Sequence, residues 1–152
     1  MNSLARANTL ALAIPALLMA GALGSQYSGG LYPCEMCHWQ RWPHYAAIAL
    51  AGLAFFLKPP ARPLLVALAA LAILTSGAIG VFHAGVEYHW WRGITACTST
   101  SAGMSLQDLM RAPLVRCDAA QWTFLGISLA GYNALFSIGG GVTILSWLRR
   151  SK

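Results

Sequence analysis

Residues 119–148, AAQWTFLGISLAGYNALFSIGGGVTILSWL, run for 30 positions between Asp118 and Arg149 without one Asp, Glu, Lys or Arg. A charge at the centre of a bilayer costs at least about 2.5 kcal/mol, so a gap of this length marks a segment suited to lipid. Three more gaps lie upstream: 28 residues between Arg6 and Glu35, 16 between Arg41 and Lys58, and 24 between Arg62 and Glu87. A helix rising 1.5 Å per residue needs about 20 residues to cross a hydrocarbon core of about 30 Å. Three of the gaps suffice unaided. The 16-residue gap covers only about 24 Å, so its helix must recruit residues before Trp42 and let Arg41 snorkel to the membrane boundary.

The expected fold is therefore an all-α integral membrane protein. It is one domain over residues 1–152, with four transmembrane helices in an antiparallel bundle and spans at about 7–26, 39–57, 63–86 and 119–148. Composition agrees: 57% of residues are hydrophobic and 9% charged, against about 25% charged in a soluble domain. Ten Lys and Arg against four Asp and Glu leave a formal charge of +6. The basic residues form no run or stripe, which argues against nucleic acid as a partner.

Sign decides the orientation. Four spans place Arg6, Lys58, Arg62, Arg149, Arg150 and Lys152 on one side, with no acid among them. The other side holds Arg41, Arg92, Arg111 and Arg116 against Glu35, Glu87, Asp108 and Asp118. The positive-inside rule makes the basic face cytoplasmic, with both termini there and loops of about 27–38 and 87–118 outside. Arg6, the apolar run Leu10 to Leu23 and small residues near Ala20 to Gly24 also fit a cleaved signal peptide. That alternative leaves three spans and ends on opposite sides, and the sign count favours four. Short connections predict bundled neighbours, and Ala67, Ala70, Gly77 and Gly80, with Gly126, Gly131 and Gly139 to Gly141, permit close helix contact. In the second outer loop, Ser105-Leu106-Gln107-Asp108 has the form of a helix start, and Leu106, Leu109 and Met110 recur at helical spacing before Pro113. A short amphipathic helix on the membrane surface is expected there.

All four cysteines, Cys34, Cys37, Cys97 and Cys117, fall in the two outer loops, which points to an oxidising compartment. Two loop-stapling disulfides are the plain structural alternative. A Cys-x-x-Cys ring removes little chain entropy, however, and such close pairs more often exchange electrons. Cys34-Glu35-Met36-Cys37-His38 also satisfies the attachment pattern of a c-type haem, with His38 as axial ligand, so a membrane-anchored haem electron carrier stands as an alternative. That reading leaves Cys97 and Cys117 without a role. A zinc site from four thiolates is disfavoured, because the 19 residues between Cys97 and Cys117 do not make a second Cys-x-x-Cys unit.

Exchange between two dithiol pairs only moves oxidation from one to the other, so something must accept two electrons. An apolar bundle has access to a lipid-soluble quinone. Arg41 lies four residues beyond Cys37, on the same helical face and about 6 Å along the axis. There it would favour a thiolate and stabilise negative charge on a reduced oxygen. Arg41, Trp39, Trp42 and Tyr45 equally suit an interfacial anchor. Glu35, if close, would oppose Arg41 at the thiols, and Glu87 with Arg92 reads as a boundary pair. His44, His83 and His89 match no motif position securely; each reads first as a satisfied structural residue, with a quinone role as the alternative.

The chain resembles the DsbB family of disulfide bond formation proteins, bacterial membrane thiol oxidoreductases. Three stretches carry the resemblance: Pro33-Cys34-Glu35-Met36-Cys37-His38-Trp39-Gln40-Arg41-Trp42-Pro43, His83-Ala84-Gly85-Val86-Glu87, and Cys117-Asp118 followed by Gln121-Trp122-Thr123-Phe124-Leu125-Gly126-Ile127-Ser128. A Cys-x-x-Cys in the first outer loop and a spaced pair in the second is this family's order, whereas the vitamin K epoxide reductase family places its Cys-x-x-Cys near the last helix. The resemblance implies that a Cys97–Cys117 disulfide accepts electrons from a soluble periplasmic DsbA-like dithiol, with Cys97 forming the mixed disulfide. It further implies that Cys117 exchanges with Cys34, that Cys37 faces a quinone (ubiquinone or menaquinone), and that Arg41 lies beside that quinone. The implied location is the bacterial inner membrane.

Overall fold

The computed structural model describes residues 3–95 and 115–150. Cys97, Asp108, Arg111 and the helix expected from Ser105 lie outside the described residues.

Four long helices make up the described structure: α1 Ser3–Tyr27, α2 Glu35–Ala54, α3 Ala61–Glu87 and α4 Leu129–Arg149. Three of them, α1, α3 and α4, are long and apolar enough to cross a membrane. The 20 residues of α2 also reach about 30 Å. Its first turns, however, carry Glu35, His38, Gln40, Arg41 and His44, and of these polar side chains Gln40, Arg41 and His44 build the site. The last span, expected from about 119, becomes helical only at Leu129. Ahead of it, β1 Thr123–Phe124 and β2 Ile127–Ser128 pair antiparallel. Leu125 and Gly126 turn between them with φ of 50° and 77°, the left-handed pair that a two-residue hairpin needs. Ser128 then caps α4, its hydroxyl accepting from the Gly131 amide at 3.1 Å.

Each helix packs on the next in chain order, and α4 closes the ring on α1. Leu4 of α1, Pro59 and Pro63 around the α2–α3 turn, and Leu148 and Arg149 of α4 line one shared cavity. The start of α1, the inner turn and the end of α4 therefore share one end of the bundle. Near that end the core is built of small residues: Ala7, Ala11, Ala47, Ala51, Ala54, Ala69 and Ala70 pack with Val66, Ile73 and Ile144. Alanine stripes and Gly77 and Gly80 let backbones approach closely, which is how helices gain contact where lipid competes equally for apolar side chains. At the opposite end a second cluster joins Cys34, Met36, Val86 and Cys117.

Candidate functional site

Cys34 ends the first loop as the N-cap of α2, its sulfur accepting from the Cys37 amide at 3.2 Å. The helical turn this starts brings the two thiols together: Cys34 and Cys37 are free, with Sγ atoms 2.8 Å apart. Both lie ahead of the span expected from residue 39. Two acids this close share a proton, so the first ionisation is eased and the second opposed. The Cys34 thiol is pushed far above its ordinary range, first by its hydrogen bond to Cys37 and then by burial. The same hydrogen bond holds Cys37 below its ordinary value, with burial opposing and the Arg41 cation assisting. The carboxylate that acts on both thiols is Glu87; Glu35, which would do so if close, is exposed.

Cys117 is disulfide-bonded and buried against Cys34 in the same cluster. Beside it, Asp118 forms a two-pronged pair with Arg116 at 2.8 and 2.7 Å, which lowers the carboxyl further below its ordinary range.

Of the residues proposed from sequence, Cys34, Cys37 and Arg41 line one cavity of about 210 Å³. Arg41 stands on the Cys37 face of α2 as the spacing predicts, but its partners are on α1. It donates to Gln26 Oε1 at 2.6 Å and to the Ala22 carbonyl at 3.2 Å. Leu17, Leu18 and Met19 of α1 and Leu129 and Ala130 at the start of α4 supply apolar wall. His38 is exposed and does not line the cavity, so the imidazole beside the sulfurs is not that of the haem pattern.

The imidazole at the sulfurs is His83. Its Nε2 stands 3.6 Å from Cys34 Sγ and 3.6 Å from Glu87 Oε1, and its ring also hydrogen-bonds the Cys117 backbone. Glu87 thus turns to His83, not to Arg92 as a boundary pair. Behind His83 a buried network reaches across the bundle. Gln40 Nε2 donates to His83 Nδ1 at 2.7 Å and to the Met36 carbonyl at 3.2 Å. Asn133 Nδ2 donates to Gln40 Oε1 at 2.8 Å and to Ser76 Oγ at 3.1 Å. Ser76 donates to the Gln40 carbonyl at 2.8 Å, and Ser137 to Asn133 Oδ1 at 3.0 Å. His44 Nε2 completes it, 2.8 Å from Asn133 Oδ1 and 2.9 Å from Ser76 Oγ. Residues 49 and 93 positions apart meet here, so no local spacing signals the contacts. The one cue in the sequence is that His44, His83 and Asn133 interrupt apolar runs, where a polar group needs a partner.

Cys34, Cys37 and His83 place three donor atoms within 4.8 Å of one another, close enough for a metal. The network argues otherwise. Gln40 gives an N–H to His83 Nδ1, so the neutral ring carries its hydrogen on Nε2, and the atom facing the sulfurs is a donor without a free lone pair. A proton-sharing dithiol, a donor imidazole and a cation at an apolar cavity suit thiol oxidation.

Comparison with known proteins agrees. Residues 5–147 match the family model described as disulfide bond formation protein DsbB. The chain is 31% identical to the disulfide bond formation protein B of Methylococcus capsulatus, over 87% of each chain. It is also 31% identical to that of a Polaromonas species, over 94% of this chain and 90% of the other. No solved structure matches. On these grounds the chain belongs to the DsbB family of disulfide bond formation proteins, and it is a disulfide oxidoreductase.

Proposed function

We propose that the chain oxidises the dithiol of a soluble, DsbA-like thioredoxin-fold protein in the periplasm and delivers the electrons to a membrane quinone. In this reading α2 is the fourth span, the basic end of the bundle faces the cytoplasm, and the cysteine end faces the periplasm of an inner membrane. The observation that carries it is the free Cys34–Cys37 pair at the edge of a cavity walled by Arg41 and apolar side chains, packed against the disulfide-bonded Cys117.

The residues fit a quinone head group. A void of about 150 Å³ admits a benzene ring, so 210 Å³ holds a substituted ring while its tail stays in lipid. Arg41 lines the cavity and offers charge to one polar edge. When bound, a quinone supplies a sink for two electrons and two protons.

The chain's own part is thiol exchange. A partner thiolate attacks Cys97 of a Cys97–Cys117 disulfide; a mixed disulfide forms, and Cys117 leaves as thiolate. The partner's second thiol closes its own disulfide and releases Cys97. Cys117 attacks Cys34 of an oxidised Cys34–Cys37 pair, which expels Cys37 as thiolate, and Cys97 closes the outer disulfide again. Cys34 and Cys37 are then the reduced pair; re-forming their bond gives up two electrons and two protons. The Cys34–Cys37 hydrogen bond and Arg41 favour the thiolate on Cys37, and His83 holds a donor at Cys34.

Purified protein supplied with a short-chain quinone is expected to oxidise a reduced DsbA-like protein catalytically, and Cys37→Ser to abolish turnover. A Cys37→Ser variant that turns over normally would refute the electron route.

A further inference from the structure

Among the described residues lining the cavity, two buried atoms are unmatched: Glu87 Oε2 beside the sulfurs and, deeper along α2, Nδ1 of His44. His44 is 2% exposed and lines the cavity, and its Nδ1 has no partner among the described residues. Its neighbours determine which nitrogen carries the hydrogen. Asn133 gives its Nδ2 hydrogens to Gln40 Oε1 and Ser76, so its Oδ1 can only accept. That oxygen is 2.8 Å from His44 Nε2, which must therefore hold an N–H. Ser76, the other neighbour, has its proton committed to the Gln40 carbonyl and also accepts. With Nε2 protonated, Nδ1 of the neutral ring is a bare lone pair. The hydrogen-bond partners of His44 include no carboxylate to hold a second proton.

The two histidines lining the cavity are thus set for opposite tasks by one pair of amides. Gln40 makes His83 a donor at the sulfurs, and Asn133 makes His44 an acceptor. Cys37 and His44 lie seven residues apart on α2, about 10 Å along its axis, so the acceptor lies deeper than the thiols.

We infer that His44 Nδ1 accepts a hydrogen bond from a hydroxyl of the reduced acceptor, so that this residue favours quinol over quinone in the cavity. The inference rests on the quinone reading above and adds to it a residue that distinguishes product from substrate. A quinone presents only carbonyl acceptors, which this nitrogen cannot serve; a quinol presents an O–H, which it can.

The test uses the full chain with ¹⁵N-labelled histidine, kept anaerobic in nanodiscs, with the Cys34–Cys37 pair reduced for the quinol and its ether and oxidised for the quinone, so that no electrons pass during binding. The ligands are a short-chain ubiquinol, its O,O-dimethyl ether and the matching quinone. The expected spectrum shows His44 protonated at Nε2 and bare at Nδ1, with the Nδ1 resonance moved by quinol and unmoved by the ether. In binding titrations His44→Phe is expected to weaken quinol about tenfold, the equivalent of one hydrogen bond of about 1.4 kcal/mol, and to change quinone affinity less than twofold. An Nδ1–H tautomer in the free protein, or equal losses for quinol and quinone, would overturn the inference and leave the quinone site standing. If the wild-type chain binds neither ligand, the quinone reading fails and takes the inference with it. The spectrum is read on the wild-type chain, so a misfolded variant does not leave the question open.

Discussion

Cys34 has two hydrogen-bonding duties at the start of α2, and together they explain how a buried dithiol stays reactive. Its sulfur accepts the Cys37 amide, as an N-cap must, and its S–H is directed to Cys37 Sγ. The amide bond fixes the turn; the thiol bond stabilises a thiolate on the neighbour, since hydrogen bonding to the charged form favours it. The sign follows: a lowered Cys37 value means that thiolate appears at lower pH than for an ordinary cysteine, while Cys34 stays protonated through the neutral range. Timed iodoacetamide labelling of the reduced protein should therefore modify Cys37 before Cys34, with a pH midpoint below that of a free thiol. In Cys34→Ala that midpoint should move upward, because the largest stabilising contact is gone and burial still opposes charge. An unmoved midpoint would show that Arg41 and the helix alone set the reactivity. The Cys-x-x-Cys spacing already pointed to this chemistry. The spacing could not reveal His83, which arrives from another helix 49 positions away.

Between α3 and α4 the contact is made by backbone. A Cβ added at Gly80 would stand 3.0 Å from the Ala130 carbonyl oxygen and 3.1 Å from both the Ala134 nitrogen and Asn133 Nδ2. One added at Gly77 would stand 2.8 Å from Ile138. Their spacing of three residues puts both on one face, which is why a close crossing was readable from composition and period alone. The same crossing carries Asn133 into the network, so packing and chemistry depend on one seam. Gly80→Leu is expected to lower stability by about 1–3 kcal/mol, the usual range for overpacking, seen as an earlier thermal transition in detergent. Because it displaces Asn133, it should also change the ¹⁵N signature of His44; a lower transition with that signature intact would separate the seam from the site. The hairpin before α4 was not readable in this way. Thr123-Phe124-Leu125-Gly126-Ile127-Ser128 continues an uncharged apolar run, and only the left-handed φ of Leu125 and Gly126 breaks the helix. What holds the turn is distant: Tyr88 donates to the Gly126 carbonyl at 2.9 Å and accepts from the Ser128 amide at 2.9 Å.

Among the described residues, unbalanced basic charge and the cysteines separate to opposite ends of the bundle. Arg6, Lys58, Arg62, Arg149 and Arg150 belong to the segments that meet at the small-residue end of the bundle. Cys34, Cys37, Cys117 and the exposed tryptophans Trp42, Trp90, Trp91 and Trp122 belong to the other. Gaps between charges made the four helices legible, because the cost of a charge in lipid acts at every position of a span. The site was legible only in the residues that lie close in sequence, because its network is assembled from side chains of α2, α3 and α4 whose meeting depends on the packed bundle. The proposed orientation rests on the positive-inside rule, by which basic residues near span ends resist translocation and assign the end that carries them to the cytoplasm. Alkaline phosphatase fused after Gly30 or Arg92 is therefore expected to be active in a bacterial host, and fused after Pro60 or Lys152 to be inactive, with the reverse for green fluorescent protein. Activity on both sides of α2 would mean that this polar-headed helix does not cross. Three crossings would then put the two chain ends on opposite sides and Cys34 and Cys37 across the membrane from Cys117, and exchange between Cys117 and Cys34 would be closed.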